Sequence, residues 1–216
     1  MTAQGKAGQA YEAIEELIVS QELAPGSLVS ETVLMEKTGL GRTPVREALQ
    51  QLARNRMVEI HPNKGVLVPP ASVEAQLRML ELRRVMEGLA VQLACQGADA
   101  TDRAGMEAMA DVLSHGQLTI HEYGDTIKGT HRLIVGAAHN EFLADAMAPL
   151  QGLSRRFWLA HVRDVATEIE RGRGLHLAIL RAILMRDEKA AEWASHELND
   201  YLVQFAHDTL RAPIRL

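Results

Sequence analysis

The sequence has a single cysteine, Cys95, no proline between Pro70 and Pro149, and few aromatic residues, 4% in all. One cysteine excludes an intramolecular disulfide and a cysteine-rich zinc site. No apolar run approaches the ~18–20 residues that cross a bilayer, so no membrane partner is expected. The opening residues MTAQGKAGQA lack the apolar core of a signal peptide, and the expectation is a cytoplasmic protein. There is no glycine-rich phosphate loop and no nucleophile motif. Nor is there an excess of positive charge: the net charge is −5, which by itself counts against a nucleic-acid partner. What is present is ordinary globular composition, 47% hydrophobic and 24% charged, in a chain of 216 residues. That length is enough to bury a real core.

The placement of proline divides the chain. Pro25, Pro44, Pro62, Pro69 and Pro70 crowd the first 70 residues, so short elements are expected there and long helices beyond. Helical spacing of Ala10, Ile14, Leu17 and Ile18 predicts a helix over 8–22. Ser30 is placed to cap a short second helix through about Lys37, with Val33 and Leu34 inward. Thr43 is placed to cap a third helix, with Pro44 at its first position and Val45, Ala48, Leu49 and Leu52 buried. The β-like runs 57–60 and 65–68 flank His61-Pro62-Asn63-Lys64 and predict a two-stranded hairpin. Three helices and a hairpin describe a winged helix-turn-helix over residues 1–70.

Pro69-Pro70-Ala71-Ser72 reads as a short, semi-rigid linker. Residues 71–216 then read as an all-helical bundle of about six helices. Apolar stripes are expected at Leu82, Val85, Met86, Leu89 and Leu93, at Ile127, His131, Ile134, Val135 and Ala138, at His176, Ile179, Leu180 and Ile183, and at Leu198, Tyr201, Leu202 and Phe205. Further helices are expected over 101–115 and 141–161, and Asn140 is expected to cap the latter. The fold class is therefore mainly α.

Gly41-Arg42-Thr43-Pro44-Val45-Arg46-Glu47-Ala48-Leu49 is the most informative stretch. It puts Arg42 at a helix start and Arg46 one turn in, both on the solvent side. Arginine there can fork onto guanine O6 and N7 in a major groove, and free N–H groups at the helix start attract phosphate. Thr43 and Gln50 lie on or beside the same face, while His61, Lys64 and Gly65 sit in the wing. Together with Pro25-Gly26, Glu31, Leu52 and Lys64-Gly65, this string resembles the GntR family of bacterial transcription regulators. The resemblance implies operator DNA as a partner, with contacts from Arg42, Thr43, Arg46, Gln50, His61, Lys64 and Gly65. Gly41 stands where the family more often has serine, and Thr32 where the fatty-acid-responsive member has a DNA-contacting arginine.

The remainder resembles the FadR-like (FCD) effector domain of that family. The resemblance is carried by Arg83 with Glu87, by His131 through Asn140, and by His176, Ile179, Ala182, Ile183 and Asp187. It implies a homodimer and a small-molecule effector, expected to be carboxylate-bearing, held by Arg83, His131 and His176. Arg83 shares a face with the small residues Ala90 and Ala94, and its guanidinium fork suits a carboxylate. Its plainer role is an i,i+4 pair with Glu87. Many members also hold a divalent metal on an Asp and a His four residues apart, a later His, and a fourth His 22 residues on. His131 and His176 match two of these positions, but Ile127 and Leu198 occupy the others. Asp125 and His196 lie two residues away, about 200° around a helix. No cofactor is therefore expected. The alternative is one zinc, nickel or manganese ion on His131 and His176 with Asp125 or His196.

Charge is unevenly distributed. Residues 1–41 carry −4, residues 42–70 carry +3 and residues 71–216 carry −4. The positive charge falls on the expected recognition helix and wing, where phosphate would meet it. The leading reading is a ligand-responsive regulator, most often a repressor in this family. An enzyme using the histidine pair and a sequence-indifferent architectural DNA binder are the alternatives.

Overall fold

A computed structural model describes residues 5–211. Pro213 and the first four residues lie outside that range. The chain divides into two compact units, one of Met1–Ser72 with Arg155–Ala160, the other of Val73–Ser154 with His161–Leu216.

The first unit is built on α1 (Lys6–Val19), β1 (Leu28–Val29), α2 (Glu31–Thr38), α3 (Arg42–Arg54), β2 (Glu59–His61) and β3 (Gly65–Leu67). The Ser30 side chain accepts from the Val33 backbone N–H at 3.3 Å, and Gly39 ends α2 in the left-handed region at φ 67°. Val45, Ala48, Leu49 and Leu52 bury the inner face of α3, and Ile14 and Ile18 of α1 are likewise fully buried. Each buried aliphatic side chain stabilises the unit by roughly 1.5–3 kcal/mol.

Four expectations need correction here. Helix α3 begins at Arg42 with Gly41 as its cap residue, so Thr43 caps nothing and Pro44 sits inside the first turn. The missing proline N–H still costs nothing there, because the first N–H groups of a helix have no internal partner. Helix α1 ends at Val19, before residue 22, and Gln21 takes φ 64° in the turn. Val33 is 38% exposed, leaving Leu34 as the buried residue of α2. The sheet has three strands in the order β1-β3-β2, all antiparallel, where two were expected. A two-residue strand is too short to show alternation in sequence.

Gly65 is what closes this sheet. It adopts φ 119°, and a Cβ there would lie 2.8 Å from the Val29 carbonyl oxygen on β1. Only glycine fits both demands.

The second unit holds six helices among the described residues: α4 (Val73–Gly97), α5 (Ala100–His115), α6 (Ile120–Ala137), α7 (Glu141–His161), α8 (Val165–Leu184) and α9 (Glu188–Arg211). Capping boxes start α5 at Asp99 and α6 at Thr119. Asn140 Oδ1 accepts from the Leu143 N–H at 3.1 Å at the start of α7. The stripes on α6 and α8 are buried as expected, and on α9 Leu198, Tyr201 and Leu202 are buried. Cys95 is buried on α4.

The α4 stripe is reversed. Leu82, Val85 and Leu89 are exposed, Val85 by 70%, while Leu80, Arg83, Glu87, Ala90, Val91 and Ala94 face inward. An ion pair went in and leucines came out, which hydrophobic periodicity cannot foresee.

Gly65→Ala introduces both a left-handed φ and a clash with backbone. It is expected to destabilise the first unit by ~1–3 kcal/mol, read as an earlier unfolding transition in urea.

Candidate nucleic-acid interface and effector site

The α3 surface presents Arg42, Thr43, Arg46 and Gln50 to solvent. The first turn of α3 has no acidic residue and no side-chain cap bond, so its N–H groups and positive dipole end face water unneutralised. Arg46 Nε donates to both carboxylate oxygens of Glu31 on α2, at 3.0 and 2.8 Å. The guanidinium is 60% exposed and the pair is screened. Such pairs contribute about 0–1 kcal/mol, so Arg46 can exchange Glu31 for a phosphate or a base edge at little cost. In the wing, Lys64 is exposed, while His61 is half-buried with Nε2 3.5 Å from Glu59. Gly65 serves wing geometry through its approach to Val29. Sequence reasoning noted Glu31 without assigning it to Arg46, because contacts between different helices have no spacing signal.

The three residues expected to meet an effector come together in the second unit. Arg83 on α4 is 2% exposed, His131 on α6 8% and His176 on α8 4%. Arg83 Nε and Nη2 donate to Glu87 Oε1 at 2.8 and 2.5 Å. The i,i+4 pair is thus buried, unlike the exposed helical pairs whose worth is a few tenths of a kcal/mol. His176 Nδ1 lies 2.7 Å from the Gly172 carbonyl oxygen, which can only accept. That contact assigns the proton to Nδ1 and leaves Nε2 as a lone pair. His131 Nε2 lies 3.3 Å from it. Arg83 Nη2 lies 3.5 Å from the same His131 nitrogen. Burial pushes the His176 pKa down to about 4, the Gly172 contact opposes this, and the Arg83 charge adds to it.

The result is a fixed cation beside the neutral His176 imidazole and the buried His131 ring. The space beside it is about 10 Å³, lined by Glu87, His131, Gln151, Ser195 and Leu198 among others. That is about one water's worth. Glu87 Oε2 is buried there without a hydrogen-bond donor.

Two family models match the chain: bacterial regulatory proteins of the gntR family over residues 6–68, and the FCD domain over residues 78–200. The chain belongs to the GntR family and carries an FCD domain. The Nta operon transcriptional regulator of Aminobacter aminovorans is 28% identical over 182 residues, covering 83% of this chain and 85% of that protein. The repressor GlaR of Escherichia coli K12 is 26% identical over 196 residues, covering 84% and 86%. Among solved structures, E. coli McbR/YncC shares the fold with a TM-score of 0.79 at 19% identity, over 97% of this chain and 100% of that one. This GntR-family protein is thus a transcriptional regulator. No helix among its described residues is long and apolar enough to cross a membrane.

The donor set of this FCD domain does not fit the divalent metal found in many of its relatives. Ile127 and Leu198 are buried at the two remaining ligand positions. Asp125 is exposed, about a third of a turn around α6 from the buried His131. His196 is half-buried, with Nε2 directed at Gly88 of α4. Among the described residues, the one trio of ligand atoms within 4.8 Å of one another is Asp99, Asp102 and His139, and it includes neither core histidine. Two imidazoles are too few ligands, and the Arg83 charge repels a cation.

The neutral His176 makes stability depend on pH. The unfolded ring takes a proton near pH 6.5 and the folded ring only near 4. Its contribution is therefore whole above about pH 6.5 and is lost as pH falls toward 4, on the order of 3 kcal/mol in full. Urea titrations across this window should show a shallower decline for His176→Gln than for the unaltered protein. NMR should show the His176 ring unprotonated at pH 5.5, and a ring protonated at that pH would refute the assignment.

Proposed function

We propose that this regulator is a cytoplasmic, ligand-responsive repressor. It binds a near-palindromic operator as a homodimer and takes a small carboxylate-bearing effector in its helical unit, without a metal and without catalysis. The observation that carries this reading is the buried Arg83 guanidinium beside His131 and His176, in a chain whose other unit exposes Arg42 and Arg46 on a recognition helix. Arg46 reads a base edge, Arg42, Thr43, Gln50 and Lys64 hold the backbone and groove edges, and His61 and Gly65 shape or contact through the wing.

The effector carboxylate competes with Glu87 for Arg83. With only about 10 Å³ of space beside the cluster, ligand entry requires the helices around it to part. Binding is thereby coupled to a change in helix packing, and the equilibrium shifts between operator-competent and incompetent dimers.

Dimerisation is supported by the outward stripe of α4. Gly88 faces Glu192 and His196 of α9, and Asn199 bonds the Leu80 carbonyl oxygen. The two helices are therefore antiparallel, and one residue on from these contacts Leu89 and Trp193 turn to the same outer face. Leu82 (53% exposed), Val85, Leu89 and Trp193 (69% exposed) give that face an apolar character that a second copy would cover.

Fluorescence anisotropy with fragments of the protein's own promoter region tests the DNA reading. Arg46→Ala should weaken specific binding by ~1–3 kcal/mol, and a chelator should change nothing. Equal affinity for random DNA at physiological salt would overturn operator recognition, and loss of binding on chelation would overturn metal independence. Val85→Glu should convert the dimer to a monomer in analytical ultracentrifugation and weaken operator binding with it. A Val85→Glu protein that remains dimeric would move the interface elsewhere.

A further inference from the structure

A wide concavity of the helical unit lies away from the histidine pair. It is a groove of about 910 Å³ between the end of α5, the segment 116–119 and the outer face of α8. That volume falls in the range of small-molecule sites, whereas the space beside Arg83 holds about 10 Å³. Its floor is apolar, formed by Leu113, Leu118, Ile120, Val165, Ile169 and Leu177. Two arginines of α8, Arg173 and Arg181, line it together with one acid, Glu170.

The arginines are prepared differently. Arg173 Nε donates to the Leu113 carbonyl oxygen at 2.6 Å, one of the last carbonyls of α5, which lack partners within their helix. That bond explains why Arg173 is at this position, but it uses one donor and fixes the guanidinium with its two terminal nitrogens still able to donate. Arg181 is exposed, and no ion pair or side-chain hydrogen bond involves it among the described residues. The two lie eight residues apart on one face of α8, about 12 Å along the axis, with Leu177 midway. Gly174 lines the groove between them, and a Cβ there would meet nothing within 4 Å. The lining is therefore cation, apolar surface, cation, with a net charge of +1 from its two arginines and one glutamate.

We propose that this groove is a second ligand site, which binds an amphipathic organic anion. The carboxylate or sulfonate pairs with Arg181, the apolar body lies along Leu177, Ile169 and Leu118, and Arg173 adds its positive charge at the other end of the groove. The site is independent of the Arg83 cluster, so it stands whether or not the effector binds there. A guanidinium pair over an apolar floor selects against neutral amphiphiles, which gain no charge-assisted bonds, and against small inorganic anions, which leave the floor wet.

The test uses the full chain and 1-anilinonaphthalene-8-sulfonate as fluorescent probe, with decanoate and decanol as competitors. Decanoate should displace the probe and decanol should not. Arg181→Gln should weaken both the probe and decanoate about tenfold, the loss of one charge-assisted contact. The Arg181 side chain makes no hydrogen bond or ion pair among the described residues, so the variant should fold as the parent does. Glu170→Gln should tighten binding by removing the groove's acid, and Gly174→Leu should block it while favouring the helix. His131→Gln should leave it unchanged. Equal displacement by decanol, or unaltered binding in both Arg181→Gln and Arg173→Gln, would overturn the proposal. So would binding lost in His131→Gln but kept in the groove variants, which would place the anion at the core cluster instead.

Discussion

The buried ion pair of Arg83 and Glu87 is the interaction around which the helical unit is arranged. Two charges removed from water need each other closely, and the i,i+4 spacing on α4 supplies that within a single element. Once this face of α4 turns inward, its neighbours on the face must be small, as Ala90 and Ala94 are, and the larger Leu82, Val85 and Leu89 are carried to the surface. The polar core thus has an apolar exterior as its counterpart. The same charge adds to the effect of burial, which keeps His176 neutral. Helix orientation and the character of the outer face follow from one pair.

A core that holds an anion, as proposed for this one, needs positive charge out of reach of water. Here apolar side chains fill two ligand positions, Ile127 and Leu198, and packing replaces coordination on α6 and α9. What remains is an arginine whose charge is permanent and whose orientation is set by Glu87. Glu87 is itself incompletely satisfied, with one buried oxygen lacking a donor.

Much of this was legible in the sequence, for identifiable reasons. Ser30, Asn140 and the inner face of α3 follow local rules of capping and periodicity, and the structure obeys them. The convergence of Arg83, His131 and His176 was legible through resemblance, since no local rule relates residues 48 and 45 positions apart. The facing of α4 was misread because periodicity assumes that apolar residues are the ones buried. A buried pair violates that assumption, and Val85 and Trp193 show where the displaced apolar surface went. Strand β1 and the Arg46–Glu31 contact were invisible because both depend on chain segments meeting in space. The groove over α8 was missed for the same reason: Arg173, Leu113 and Leu118 share a site only once α5, its following segment and α8 are packed.

The two ends of the protein's chemistry differ by one variable. Arg46 and Arg83 each hold a carboxylate of their own chain through bidentate or near-bidentate bonds. Around Arg46 water screens the pair, so the carboxylate pre-orients the guanidinium and gives way at little cost to a competing anion. Around Arg83 water is excluded, so Glu87 cannot leave without a replacement, since an unpaired charge would remain buried. In the proposed function, exposure therefore lets one arginine act as a reader that engages on contact, and burial makes the other a latch that answers to a ligand carrying its own negative charge. The proposed carboxylate-bearing effector rests on that burial, since a neutral ligand offers nothing that could replace Glu87.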